Sequence, residues 1–317
     1  MKPPRPVWQR ALTWPARRTA RLWRSLRAGR WYGWSRPRWW PLTRPWPFGP
    51  RHPHDGRQVV IFVAGREHIF VPVSYGRYRG HRFDGWLRPT AAEMTAHLAA
   101  QGLDPAAGAL LAAVSSVEGG FDALQTYGRG RMVWGCIQFT GTGGLPALML
   151  RLRDWAPEQY ATYFQAAGID AAPGGLLEVR SGRRTWRGWQ ALTRLHDEPA
   201  LWKPFLLAAH DQAKQAGQVR AAYEHYLLPA RALTVTVAGQ AYALGPLLAG
   251  QPLGEATLFD HAVSHGPAAT RRLFQRAARQ TGGRDPAALL AAAHALEPGD
   301  QSRWLALERA LRVGTLD

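Results

Sequence analysis

From Thr90 to Val313 the chain is a succession of helix-length segments, broken by a glycine-rich stretch at 119–142. That pattern confines the fold to a mainly α architecture with little sheet. Thr90-Ala-Ala-Glu93 follows Pro89 and has the form of a capping box, which predicts a helix over Thr90–Gln101. Pro105–Glu118 is the next expected helix, with Leu110, Leu111, Val114 and Val117 on one face. Leu145–Trp155 and Pro157–Ala167 read as an antiparallel helix pair, and Pro199–Lys214 and Gln218–Leu228 as another. Leu253–His265, Ala268–Thr281, Asp285–Leu296 and Gln301–Val313 complete the helical set. The stretch Gly119–Thr142 mixes Gly with aromatic and β-branched residues and reads as a short hairpin sheet. Further hairpins are expected at Thr234–Leu244 and at 58–73, where two β-branched and aromatic runs flank Ala64-Gly65-Arg66. No internal period or sustained heptad appears.

Residues 1–57 differ in kind from the rest. They hold fourteen Lys/Arg against one acid, Asp55, so +13 of the net +18 lies there. Eight of the fifteen tryptophans lie there too, among prolines that recur every few residues. No helix-length apolar stripe survives such spacing. The expected organisation is a basic, disordered Arg/Trp/Pro-rich arm at 1–57, a β-hairpin segment at 58–88 and a helical domain at 89–317. Interleaved Arg and Trp suit an anionic envelope surface, where Arg pairs with phosphate and Trp sits at the membrane interface. The same mixture suits base stacking, a weaker reading that leaves nucleic acid an unlikely partner. A tail with no dedicated ligand is the plainer alternative.

Several classes are disfavoured. Cys136 is the single cysteine, so no intrachain disulfide is expected. No 18-residue apolar run suggests a transmembrane helix, and the N-terminus lacks the apolar stretch of a signal peptide. No P-loop, dinucleotide fingerprint or Gly-x-Ser-x-Gly occurs, and no cofactor is expected. His261 and His265 stand at i and i+4, but no nearby Cys, Asp or Glu completes a convincing zinc set, so no metal is expected either. Asp260, in mid-helix, is expected to pair with a core arginine, and His265 to cap that helix. Cys136 sits in an apolar run and is expected to be buried rather than nucleophilic.

Glu118 is the chemical focus. A lone acid where an apolar helix runs into a hairpin is the layout of a general acid that protonates a glycosidic oxygen. Partial burial would raise its pKa toward the working pH. The alternative is a solvated glutamate, which the negative end of the helix dipole disfavours. Tyr127 and Trp134 offer apolar faces for sugar rings, or else pack the hairpin core. Gln138 is a second polar candidate, or an ordinary hairpin hydrogen-bonder.

Glu118, the glycine-rich stretch and Gly135-Cys-Ile-Gln138-Phe-Thr140 together resemble the lysozyme superfamily. There a helix ends in the catalytic Glu, and a hairpin with a Gly-x-x-Gln or Gly-x-x-Gly core follows. Phe259-Asp260-His-Ala-Val-Ser-His265-Gly266-Pro267 and Ile137-Gln-Phe139-Thr140-Gly-Thr142-Gly143 resemble segments of the family 46 chitosanases, members of the same superfamily. Asp211 and Gly217-Gln218 fall where those enzymes have an Asp and an Ala-Gln. The likeness covers about residues 90–310. It implies an α+β lysozyme-like fold, a helical bilobal domain with a small β-hairpin sheet at a cleft. It also implies an amino-sugar polysaccharide as partner, and an envelope or extracellular place of action.

One departure narrows the chemistry. The chitosanases carry a second acid and a water-positioning Thr in the hairpin, and those positions fall on Gly128 and Val133 here. No Asp or Glu lies between Asp122 and Asp154. Asp122 is then the remaining candidate for a second acid, unless the turn points it to solvent. Lytic transglycosylases need only one Glu, because the 6-hydroxyl of N-acetylmuramic acid attacks its own anomeric carbon. Their Gly-Leu-Met-Gln motif resembles Gly135-Cys-Ile-Gln138, which implies that Gln138 orients the sugar's amide or Glu118 itself. The expectation is a peptidoglycan-cleaving enzyme with Glu118 and Asp122 as acids and Tyr127, Trp134, Gln138 and Thr140 lining the glycan groove. A chitosanase-like hydrolase and a non-cutting glycan binder are the alternatives.

Overall fold

The computed structural model describes residues 58–313, apart from 76, 77, 129, 173 and 284. The arm expected at 1–57 lies outside the described residues. The chain divides into two compact units, of which the described parts are Val60–Ile69, and 58–59 together with 70–313. Residues 70–88 fall in the large unit.

The small unit is the expected hairpin. Strands β1 (Val59–Val63) and β2 (Arg66–Tyr75) meet at Ala64-Gly65, both with positive φ, the geometry of a two-residue primed turn.

In the large unit β2 continues from Phe70 and pairs antiparallel with β3 (Tyr78–Phe83), Val71 opposite Arg82. Strands β4 (Leu124–Gln125), β5 (Val133–Trp134) and β6 (Phe139–Thr140) extend this sheet, each antiparallel to its neighbour. The expected hairpin sheet at 119–142 is thus present, with strands of only two residues each. The large unit is mainly α with a small antiparallel sheet, as expected.

The helices follow their caps. Helix α1 (Ala91–Ala100) starts at Thr90, whose hydroxyl accepts from the Glu93 amide while the Glu93 carboxylate accepts from the Thr90 amide at 2.8 Å. Such a cap contributes about 0.5–2 kcal/mol. Helix α2 (Gly108–Glu118) follows a 3-10 turn at Pro105–Ala107 and packs against α1, α10 (Pro252–His265) and α13 (Gln301–Val313). Leu110, Leu111 and Val114 are buried, along with Ala113 and Ser115, so α2 is enclosed on more than one face. Helices α3 (Gly144–Trp155) and α4 (Pro157–Tyr163) form the expected pair.

Two departures stand out. Residues 169–187 form an unanticipated three-stranded antiparallel sheet, β7 (Ile169–Ala172), β8 (Leu176–Ser181) and β9 (Arg184–Arg187), leading into α5 (Trp189–Asp197). And the helix expected over Pro199–Lys214 breaks at His210-Asp211. Helix α6 (Lys203–Ala209) ends there, and the Asp211 carboxylate caps α7 (Gln212–Ala222) by accepting from the amides of Ala213 and Lys214. The chain then passes through a π turn, Tyr223–Leu227, into α8 (Leu228–Arg231).

Strands β10 (Thr234–Val237) and β11 (Gln240–Ala243) make the expected second hairpin, followed by α9 (Leu244–Leu248). Helix α11 (Pro267–Thr281) and α12 (Pro286–Leu296) close one apolar cluster around Leu258, Leu273, Phe274 and Leu289. Among the described residues no helix is long and apolar enough to cross a membrane.

Candidate functional site

Glu118 is the last residue of α2. The helix stops because Gly119 leaves it. The Gly119 amide donates to the Ser115 carbonyl at 2.8 Å, and the Ser115 hydroxyl donates to the Gly119 carbonyl at 2.7 Å. A Cβ on Gly119 would stand 2.5 Å from the Ala123 methyl, so only glycine lets the chain fold back this tightly. The returning strand is then tied to the 84–87 loop, with Gly120 N to Asp84 O and Phe121 N to Leu87 O, each 2.9 Å.

Asp122 completes that tie. It is fully buried, and its carboxylate accepts from the amides of Trp86 at 3.1 Å and Leu87 at 2.9 Å. Each oxygen accepts from a backbone donor. The side chain neither points to solvent nor offers a free oxygen for a second acid role; it fixes a loop.

The Glu118 side chain is 7% exposed. Its Oε1 accepts from Arg303 of α13 and, at 3.3 Å, from the Ser264 hydroxyl of α10. Arg303 also grips Asp260 with a fork, Nε to Oδ2 and an Nη to Oδ1, both 2.6 Å. The expectation that Asp260 pairs with a core arginine is met. Burial is the largest influence on Glu118 and pushes its carboxyl above the usual glutamate range; Arg303 pulls against that rise, and the Asp260 charge adds to it. Burial raises Asp260 as well, against its two-pronged bond to Arg303.

Two carboxylates face one guanidinium, so the cluster is neutral when one acid is protonated. Asp260 has the bidentate pairing and is the better anion. Burial pushes Glu118 up, and its contact with Arg303 is single, so of the two acids it is the one with the weaker hold on a negative charge.

The hairpin sits against this acid. Gly135 has φ +93°, and a Cβ there would lie 2.3 Å from Gln218 Oε1. That closeness lets buried Gln218 staple the hairpin to α7: it accepts from Cys136 N at 2.9 Å and donates to Phe121 O at 3.0 Å. The Gln138 side chain then donates to the backbone carbonyl of Glu118. Gln138 thus holds the end of α2 rather than the Glu118 carboxyl.

The aromatic candidates separate. Tyr127 is half-buried and within electrostatic reach of Glu118; burial is the main cause of its raised phenol pKa, and the Glu118 charge contributes. Trp134 is fully enclosed, edge-on to Phe164 and Phe205 at 5.9 and 5.3 Å, so it packs the core and presents no face to a sugar. Thr140 is exposed on β6. Cys136 is buried and its thiol is pushed up to about 12, which makes it inert.

Three residues near the acid, and one on the 84–87 loop, were not picked out as part of its site from sequence. Arg303 and Ser264 lie 185 and 146 residues from Glu118. Tyr226 senses the Glu118 charge, its phenol also raised chiefly by burial, and it packs edge-on to Phe139 at 5.9 Å. Trp86, 56% exposed, is carried by the loop that Asp122 fixes. The one available signal was Ser264, which lies inside the Phe259–Pro267 motif.

No protein-family model, curated protein or solved structure matches this chain.

Proposed function

We propose that this protein cleaves an amino-sugar polymer of the peptidoglycan type by a lysozyme-like, single-carboxylate mechanism, with Glu118 as the acid. The observation that carries the reading is the buried Glu118 carboxyl at a helix end, sharing Arg303 with a better-paired Asp260. Burial holds the proton on such an acid to higher pH than on an ordinary glutamate, which suits a proton donor to a leaving oxygen.

Chemistry with one acid runs as follows. Glu118 gives its proton to the glycosidic oxygen as the bond to the anomeric carbon breaks. The 6-hydroxyl of the same muramic acid attacks that carbon and its proton passes to Glu118, which regains its starting state. No water is activated, so no second carboxylate is needed. Asp122, committed to two backbone amides, is not required by this route. Tyr127 and Tyr226 lie within electrostatic reach of the acid, Thr140 lies exposed at the hairpin end, and exposed Trp86 takes the sugar-stacking role that buried Trp134 cannot.

Mass analysis of fragments released from purified sacculi tests this. A 1,6-anhydro end supports the route above. A reducing end would replace it with water attack, and binding without release would mark a glycan-binding lysozyme-like fold instead.

A further inference from the structure

The histidines at the end of α10 meet a carboxylate from a distant part of the chain, since the adjacent Asp260 is taken by Arg303. Asp300, which directly precedes α13, brings its Oδ2 to 3.1 Å from His265 Nε2. The His261 and His265 rings lie 4.4 Å apart, centre to centre. One ligand atom from each of His261, His265 and Asp300 falls within 4.8 Å of the others.

The protonation pattern at His261 suits a metal. The Thr270 hydroxyl donates its single proton to the Gly266 carbonyl at 3.0 Å. Its oxygen must therefore accept from His261 Nδ1, 2.9 Å away. That arrangement favours the Nδ1–H tautomer of His261, with the lone pair on Nε2. An outer partner that holds one ring nitrogen protonated is the usual device for presenting the other to a metal. His261 is buried, whereas His265 is exposed and already meets Asp300.

We propose that His261, His265 and Asp300 form a binding site for a divalent transition-metal ion of the zinc class. Two imidazoles and one carboxylate match the preference of such ions, and they leave a fourth position on the exposed side for water. Ligands at about 2.0–2.1 Å in a tetrahedron stand about 3.3 Å apart. The His265–Asp300 separation is already close to that. The nearby cation, Arg303, is matched by Asp260 and Glu118 and does not oppose the ion with an unpaired charge. The ion would clamp the last turn of α10, which carries Asp260 and Ser264, to the start of α13, which carries Arg303. The proposal stands whether or not Glu118 cleaves glycan.

The test uses metal-free full-length protein titrated with Co2+, a visible stand-in for Zn2+. One equivalent should give the absorption bands of a low-symmetry, four-coordinate site, and Zn2+ should displace them. Thr270→Val should weaken binding about 10–100-fold by releasing the His261 tautomer. His265→Ala and Asp300→Asn, changes at partly exposed positions, should abolish the bands while leaving circular dichroism unchanged. Wild type that develops no such bands would overturn the proposal. So would bands and affinity that survive His265→Ala, since the remaining histidines of the chain would then be the ligands.

Discussion

Gln218 gives the strongest test of how the hairpin is seated. Gln218→Leu keeps the side-chain volume but removes both bonds, to Cys136 N at 2.9 Å and to Phe121 O at 3.0 Å. Gln218 is fully enclosed, and the leucine leaves no room for water to replace it. Each backbone group left unpaired in the interior costs about 1–3 kcal/mol, so the variant should lose about 2–6 kcal/mol. That is a large share of a typical stability of about 5–15 kcal/mol. Gly135→Ala should strike the same joint, because its new methyl would stand 2.3 Å from Gln218 Oε1 at φ +93°. The two changes break the same bonds, so their costs should overlap. The double variant should fall short of the sum by about 0.5–3 kcal/mol. Urea denaturation of the wild type, both singles and the double measures all four stabilities. A Gln218→Leu cost below about 1 kcal/mol, or strict additivity, would refute the staple.

Other outcomes follow from the same site. Asp122→Ala should cost about 2–6 kcal/mol by orphaning the Trp86 and Leu87 amides, while activity per folded molecule stays within a few-fold; a thousandfold loss of turnover in well-folded protein would return Asp122 to the chemistry. Glu118 should also set a pH dependence of stability. Its folded pKa lies above the unfolded value, so its contribution is full below the ordinary carboxylate range and is lost as pH rises through the raised value. Glu118→Gln lacks that titration and should gain stability relative to wild type as pH rises above the ordinary glutamate range, as denaturation midpoints would report. A relative loss over that rise would mean that Glu118 is held ionised.

The helical frame was legible wherever a cap or a proline marked a boundary. Thr90 and Glu93, Asp285 before Pro286, and Pro252 and Pro267 each set a helix start within a residue or two. The hairpins at Ala64-Gly65 and Ala238-Gly239 announced themselves by a small residue before glycine between β-branched runs. The sheet at Ile169–Arg187 did not. Its middle strand buries three consecutive residues, Leu177, Glu178 and Val179, so no alternation marks it, and the Glu178 carboxylate is answered by Arg180 and Arg187. The break at His210-Asp211 carries neither proline nor glycine, and its signal was Asp211 itself, an N-cap residue that went unread.

In the site, Glu118 was visible because a local event, a helix ending on an acid, defines it. Its electrostatic partner was not, because Arg303 is one of forty Lys/Arg and nothing in its own neighbourhood sets it apart. Trp134 illustrates the opposite error: a tryptophan in a hairpin suggests a sugar platform, but Phe164 and Phe205 arrive from distant segments and enclose it. The missing ligand of the histidine pair, Asp300, likewise lies 35 residues beyond His265.

The most direct test of the central claim is the rate of glycan release from purified sacculi by wild type and Glu118→Gln at equal folded concentration. A lost general acid should slow cleavage by about 10²–10⁴-fold while sedimentation with sacculi is retained. Wild type that releases fragments, with a glutamine variant that releases them equally fast, would contradict the assignment of Glu118.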